Sequence, residues 1–128
     1  MIEPKPKVLY IDDDLDARTV MNLLLTLLRL DVELARDSGE AIARVGNGQF
    51  DLILLELMVG GEPDRFELCR QLRALFPGLP MIVYTGWAHR GQREGAMAAG
   101  ATDFVAKPDF DGLIASLRRH VRIPQQIK

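Results

Sequence analysis

The chain has 128 residues, a formal net charge of -2 and a single cysteine. That length suits one domain with its own core, and the near-neutral charge disfavours nucleic-acid binding, which usually needs a basic excess. Cys69 cannot form an internal disulfide, which indicates a reducing compartment. Residues 1–7 lack the apolar segment of a secretory signal, and no apolar run approaches the about 18 residues of a membrane span. We therefore expect a cytoplasmic domain without direct contact to nucleic acid or membrane.

Short apolar runs alternate with helical patterns along the chain. Apolar residues at spacings of three and four predict helices between the runs, with Asp14 and Ser38 as the N-caps of the first two. Crossovers of this length predict a doubly wound parallel sheet covered by helices on both faces, in one domain with frayed termini. The predicted strands are 8–11, 32–35, 51–56, 81–84 and 102–105. The predicted helices are 14–28, 38–48, 64–76, 88–99 (weak or mobile) and 110–121. The predicted frayed ends are 1–6 and 124–128.

The central strand of this pattern ends in an acidic side chain. Asp51 is followed by four aliphatic residues without alternation, and the run ends at Glu56. A continuous apolar run is typical of a strand buried on both faces of a parallel sheet. Such a sheet presents its ligand groups at the carboxyl ends of its strands, so Glu56 is a candidate for chemistry.

Polar groups at the other strand ends complete a candidate site. Asp12 and Asp13 follow the first strand, Thr85 follows the fourth and Lys107 follows the fifth. Three carboxylates repel one another unless a cation joins them, and hard oxygen ligands suit Mg²⁺. Lys107 supplies a further positive charge, and Thr85 is a donor for a phosphoryl oxygen. The constellation predicts phosphoryl transfer to a carboxylate, in which positioning and electrostatics do most of the catalysis.

From about residue 7 to residue 122, the sequence resembles the receiver domain of two-component response regulators. The resemblance implies a flavodoxin-like fold of five strands and five helices, and a cis peptide bond before Pro108. It depends on the order and separation of several segments together, since each segment alone is weak. The matching segments are Ile11-Asp12-Asp13-Asp14 with Arg18, the run Asp51–Leu55, Glu67-Leu68, Pro80–Gly86, Ala98–Phe104 and Lys107-Pro108.

The resemblance also implies roles for individual residues and for partners. A sensor histidine kinase or phosphotransfer protein acts upstream, and an effector or output domain acts downstream. The fourth helix, fifth strand and fifth helix form a face for partners or for a homodimer. By position, the implied metal ligands are the acidic pair Asp12 and Asp13, the Glu56 carboxylate and the Met58 backbone carbonyl, which would bind Mg²⁺. The implied switch residues are the hydroxyl of Thr85 and the aromatic ring of Phe104. Lys107 is the implied lysine that pairs with the phosphoryl group.

The sequence departs from the family pattern where the phosphoryl group would be accepted. The family has an Asp at the position of Glu56, a proline at that of Gly60 and a glycine at that of Arg65, and the intervening loop is one residue longer here. The Glu carboxylate lies about 1.5 Å further out, by one C–C bond. A shift of about 1 Å costs on the order of 100-fold when a reaction depends on alignment. We therefore expect a pseudo-receiver that is not phosphorylated in the normal way.

Two hypotheses for Glu56 and one enzymatic alternative follow. In the first hypothesis, the Glu56 carboxylate holds the domain in an active-like state without phosphorylation. In the second, the site is inert and the domain is a fixed docking or dimerisation module. The alternative is a haloacid-dehalogenase-like Mg²⁺-dependent phosphatase that uses Asp12 and Asp14 with Thr85 and Lys107. The short chain counts against it, and the receiver pattern accounts better for Asp13 and Phe104, so we expect no enzyme.

Overall fold

The structure, a computed structural model, describes residues 4–59, 64 and 66–124. Strands and helices alternate over this part of the chain, as the apolar pattern predicts. In chain order the elements are β1 (Lys7–Ile11), α1 (Leu15–Leu27), β2 (Asp31–Ala35), α2 (Ser38–Asn47), β3 (Leu52–Leu55), α3 (Glu67–Leu75), β4 (Met81–Thr85), α4 (Gln92–Ala98), β5 (Asp103–Ala106) and α5 (Phe110–His120).

The five strands form one parallel sheet in the order β2-β1-β3-β4-β5. β2 lies on one side of β1, and the chain then crosses over to form β3 on the other side of β1. The carboxyl ends of β1 and β3 therefore flank the point where the strand order reverses, which is where ligands bind in doubly wound sheets. Ile11 is in register with Leu55, and Leu55 with Val83, so the residues that follow these strands share one edge of the sheet.

Helices cover both faces of the sheet. The strands β3 and β4 are buried along their whole length. For β3 the four consecutive aliphatic residues predict this burial, but the strand covers only these four residues and not the predicted 51–56. Alternate strand residues pack against α2, α3 and α4 on one face and against α1 and α5 on the other. Each fully buried leucine or isoleucine stabilises the fold by about 1.5–3 kcal/mol relative to an exposed one.

The predicted starts of α2 and α3 need correction. The Asp14 carboxylate accepts the Ala17 amide, which confirms it as a cap, but the cap of α2 is Asp37, whose Oδ1 accepts the Glu40 amide at 2.8 Å. Ser38 is instead the first residue of α2, because the longer carboxylate of its neighbour already reaches the open amide. The helix α3 begins at Glu67, three residues after its predicted start. Gly60 and Arg65, the two departures in the preceding loop, lie outside the described residues.

The helix α4 begins at Gln92, four residues after its predicted start, and is short, in keeping with its glycine content. Gly91 stands at its N-terminus with a φ of 86°, a left-handed conformation that favours glycine. Gly95 lies inside the helix where an added Cβ would come within 2.6 Å of the Phe66 ring. The small residue therefore lets the ring pack directly against the helix backbone.

The apolar pattern of α1 covers more than its core face. Met21 and Leu25 are buried against the sheet, whereas Val20 and Leu27 are 53% and 63% exposed. Leu23 is exposed to the same degree as Leu27. The helix thus carries apolar residues on two sides, and the described residues cover only one of them.

Near the N-terminus, the Pro6 carbonyl accepts the Asp31 amide at 2.9 Å, which extends the β1–β2 pairing. Most of the predicted frayed ends, residues 1–3 and 125–128, lie outside the described residues. In the part of the chain that is described, no helix combines the length and apolarity needed to cross a lipid bilayer.

Candidate functional site

Four of the predicted site residues meet at the carboxyl edge of the sheet. Asp12 follows β1, Glu56 follows β3, Thr85 ends β4 and Lys107 follows β5. The two acids and the threonine are buried, with relative exposures of 2%, 7% and 0%, while the lysine side chain is 25% exposed. The topology brings them together because β1, β3 and β4 are neighbours and β5 lies next to β4.

The Glu56 carboxylate has partners on both oxygens. Oε1 lies 3.2 Å from the Lys107 ammonium. Oε2 accepts a hydrogen bond from the Thr85 hydroxyl and another from the Met58 amide, the latter at 3.2 Å. A lysine, a hydroxyl and a backbone amide therefore hold this carboxylate inside the cleft.

The Asp12 carboxylate is held in a similar way, with one donor that the sequence did not indicate. Its Oδ1 accepts the Asp14 amide at 3.0 Å, and its Oδ2 lies 3.3 Å from the Lys107 ammonium. The Tyr10 hydroxyl also donates to Oδ2, at 2.6 Å. The strand period predicts Tyr10 as a packing residue, and it does pack in the core, but its hydroxyl reaches the cleft as well. Burial, and then the hydrogen bond with Asp12, raise the pKa of Tyr10, so the phenol stays a donor.

Lys107 is the cation of this cleft. Burial would lower the pKa of its ammonium group, but the charges of Glu56 and Asp12 outweigh that effect and raise the pKa above its ordinary value. The ammonium also lies 5.6 Å from the centroid of the Tyr84 ring, within cation–π range. Lys107 is therefore protonated at neutral pH and shared between two buried carboxylates. The peptide bond from Lys107 to Pro108 is cis, as the resemblance implies.

The Thr85 hydroxyl links Glu56 to the loop after β4. While it donates to Glu56, it accepts the Trp87 amide at 3.0 Å. The Trp87 ring in turn lies 6.2 Å from the Phe66 ring, centroid to centroid. Phe104 is half-buried and packs against the core cluster on the α2, α3 and α4 face. A change at Glu56 therefore has a direct route to the loop 86–91.

The predicted metal ligands stand in different surroundings. Asp13 is exposed, whereas the oxygens of Asp12 and Glu56 accept internal donors. Within residues 4–59, 64 and 66–124, no three His, Cys, Asp or Glu side chains are grouped so that they could hold a metal ion. Lys107 stands between the two buried acids, so a divalent cation would have to displace the ammonium or share its carboxylates.

The predicted partner face, formed by α4, β5 and α5, contains a third buried acid. Asp103 accepts the Ser116 hydroxyl at 2.6 Å and the Arg119 guanidinium at 2.5 Å, and Arg93 lies 3.8 Å away. Burial would raise the pKa of Asp103, but these donors and the Phe104 amide outweigh it and lower the pKa. Two arginines of this face therefore bind an acid of the same chain, while Arg118 stays exposed.

Replacement of Lys107 by methionine tests the charge balance of the cleft. The change leaves Asp12 and Glu56 buried without their shared cation, and breaking a buried pair costs about 3–5 kcal/mol. Partial exposure of the lysine reduces that cost, so we expect the free energy of unfolding to fall by about 2–3 kcal/mol at pH 7. Because the folded pKa of Lys107 is raised, the loss of stability is full from pH 7 to 10.5 and shrinks as the pH rises through the folded value. Urea unfolding across that range measures it.

The exposed Lys5 provides the matched control for this variant. Lys5→Met should unfold like the wild type at every pH. A Lys107→Met chain as stable as the wild type at pH 7 would contradict the assigned charge balance.

Comparison with known proteins identifies the family. Residues 8–118 match the family model of the response regulator receiver domain. The transcriptional regulatory protein ZraR of Salmonella typhimurium is 32% identical over 120 residues, covering 93% of this chain and 27% of that protein. The response regulator MprA of Mycobacterium sp. (strain KMS) is 33% identical over 117 residues, covering 91% and 50%, so the chain spans between a quarter and half of these relatives.

A solved structure agrees in fold. The BeF3-activated N-terminal receiver domain of Klebsiella pneumoniae RstA has a TM-score of 0.82 and 28% identity to this chain, covering 91% of this chain and 98% of that one. The order and direction of the strands described above are those of a doubly wound sheet of this type. The chain belongs to the response regulator receiver domain family of two-component systems.

Proposed function

We propose that this receiver is a pseudo-receiver, an interaction switch set by Glu56 rather than by phosphorylation. The observation that carries the proposal is that both Glu56 oxygens have internal donors, from Lys107, Thr85 and the Met58 amide. In this proposal Glu56 occupies the place of the phosphoacceptor Asp. An acceptor oxygen must be free to attack the donor in line, and here the carboxylate is committed to other partners.

The extra methylene of Glu56 supports an active-like setting over an inert one. It lets the carboxylate reach Lys107 and Thr85, the residues that the resemblance assigns to the phosphoryl group. Thr85 is already turned toward Glu56, and Phe104 packs against the core. The carboxylate brings one negative charge, whereas a phosphoryl group brings nearly two. The Glu56 carboxylate is therefore only a partial substitute for a phosphoryl group.

In this proposal the Lys107 ammonium supplies the charge that Mg²⁺ would otherwise bring. Asp12 and Glu56 are both within 3.3 Å of that ammonium, and Asp12 also accepts the Tyr10 hydroxyl. The predicted ligands Asp12, Asp13, Glu56 and the Met58 carbonyl therefore bind Mg²⁺ weakly. The carboxylates of Asp12 and Glu56 must give up internal donors before they can serve as metal ligands.

The proposed partners are proteins. A sensor kinase or phosphotransfer protein would dock upstream in the cytoplasm, without transferring a phosphoryl group efficiently. An effector or output domain would bind the face of α4, β5 and α5, where Arg90 and Arg118 are exposed. The phosphatase alternative based on Asp12 gains no support, because residues 8–118 match the receiver family. Receiver domains generally act as signalling modules rather than as enzymes.

Incubation with acetyl phosphate and Mg²⁺, followed by intact-mass spectrometry, tests the loss of phosphorylation. We expect no phosphoryl adduct on the wild-type chain. The Glu56→Asp variant should gain an adduct of one phosphoryl group, because the shorter carboxylate withdraws from Thr85 and Lys107 and restores the acceptor geometry. Glu56→Ala provides the control without any acceptor. A wild-type adduct that disappears in Glu56→Ala would refute the proposal.

Hydrogen exchange followed by mass spectrometry separates the active-like setting from the inert one. Glu56→Gln removes the charge that Lys107 and Thr85 bind, while it keeps the length of the side chain. Loss of a charge-assisted hydrogen bond of about 1.4 kcal/mol should speed amide exchange in residues 86–91 about tenfold. The half-buried acid of α3, which pairs with Arg70 away from the cleft, gives the control Glu67→Gln. This variant should exchange like the wild type in residues 86–91. Equal exchange in Glu56→Gln and wild type would favour the inert module.

A further inference from the structure

The outer side of α1 is apolar, although a helix facing solvent normally presents polar residues there. Val20, Leu23 and Leu27 are 53%, 63% and 63% exposed. Their spacing of three and four places them on one side of the helix, turned away from the buried Met21 and Leu25. We call the three exposed residues the outer stripe.

The two ends of the outer stripe carry opposite charges. Asp16 lies one turn before Val20 on the same side of the helix and is exposed. Arg29 follows the C-terminus of α1 and is also exposed. Neither side chain forms an ion pair with another described residue. The other charged residue of the helix, Arg18, is occupied, because it donates to the Asp12 carbonyl at 2.8 Å.

We propose that a second copy of this chain covers the outer stripe in an antiparallel contact between the two α1 helices. A twofold axis between Met21 and Asn22 places Val20 of one copy opposite Leu23 of the other, and each Leu27 beside the opposite Asp16. The same axis brings Arg29 to the acidic end of the opposite helix. An apolar centre flanked by one acid and one base is self-complementary under such an axis, as a twofold interface requires. The antiparallel arrangement also opposes the two helix dipoles favourably.

The apolar surface continues beyond the stripe. A cavity of about 250 Å³ beside Val20 is lined mainly by apolar residues, among them Met21, Pro108 and Phe110, and also by the charged residues Asp16 and Lys107. Phe110 is 43% exposed at its rim. The contact therefore has room to extend toward the start of α5, while the face of α4, β5 and α5 stays available to other partners. This inference does not depend on the state of Glu56.

Sedimentation velocity of the full chain tests the proposal. The concentration should run from about 1 µM to about 1 mM, so that dissociation constants in this range can be measured. We expect a monomer–dimer equilibrium in the wild type. Leu23→Glu places a charge opposite Val20 in the apolar centre, and Leu27→Glu places an acid beside the opposite Asp16. Each should weaken the dimer by at least tenfold, on the order of a hot-spot substitution. Leu75→Glu, on α3, is the matched control with a 54% exposed leucine and should leave the equilibrium unchanged.

A charge exchange tests the antiparallel register. Asp16→Arg alone should weaken the dimer, and Asp16→Arg combined with Arg29→Asp should restore it. A wild type that stays monomeric throughout, or a Leu23→Glu variant that dimerises like the wild type, would overturn the proposal. Loss of the dimer in Arg118→Glu but not in Leu23→Glu would assign the contact to α4, β5 and α5 instead. Because every substituted side chain is exposed, thermal unfolding followed by circular dichroism should confirm that each variant folds.

Discussion

The Lys107 ammonium between the carboxylates of Asp12 and Glu56 is the interaction on which the cleft depends. A parallel sheet places the ends of β1 and β3 side by side, so two buried acids would face each other across a short gap. The shared cation offsets their repulsion, and the acids in turn keep the lysine charged despite its burial. The three groups are therefore stable together, whereas each would be costly to bury alone.

In the proposed account, the extra methylene of Glu56 determines which groups its carboxylate can reach in this cleft. The longer side chain of Glu56 reaches Thr85, whose hydroxyl also accepts the Trp87 amide. In the account proposed here, the chain satisfies with its own carboxylate the contacts that a phosphoryl group would make. In this account Lys107 balances the charge of the carboxylates without a divalent cation. The hydrogen bonds of Thr85 hold the loop after β4 in place without phosphorylation.

The sequence predicts the sheet and the cleft because both follow from local patterns. Apolar runs give the strands, and a parallel topology brings Asp12, Glu56, Thr85 and Lys107 to one edge. The contacts of individual side chains and the orientation of a helix toward the sheet could not be predicted from such local patterns. The strand period places Tyr10 in the core but does not tell that its hydroxyl reaches Asp12. In α1 both sides are apolar, so periodicity alone could not tell which side faces the sheet.

A crystal structure of the chain grown with Mg²⁺ and beryllofluoride tests the central claim most directly, because beryllofluoride bonds to an acceptor carboxylate in the shape of a phosphoryl group. The account predicts that the Glu56 carboxylate remains bound to Lys107 and Thr85, with no beryllium attached. A beryllofluoride bonded to Glu56, with a metal ion on Asp12 and Asp13, would contradict it.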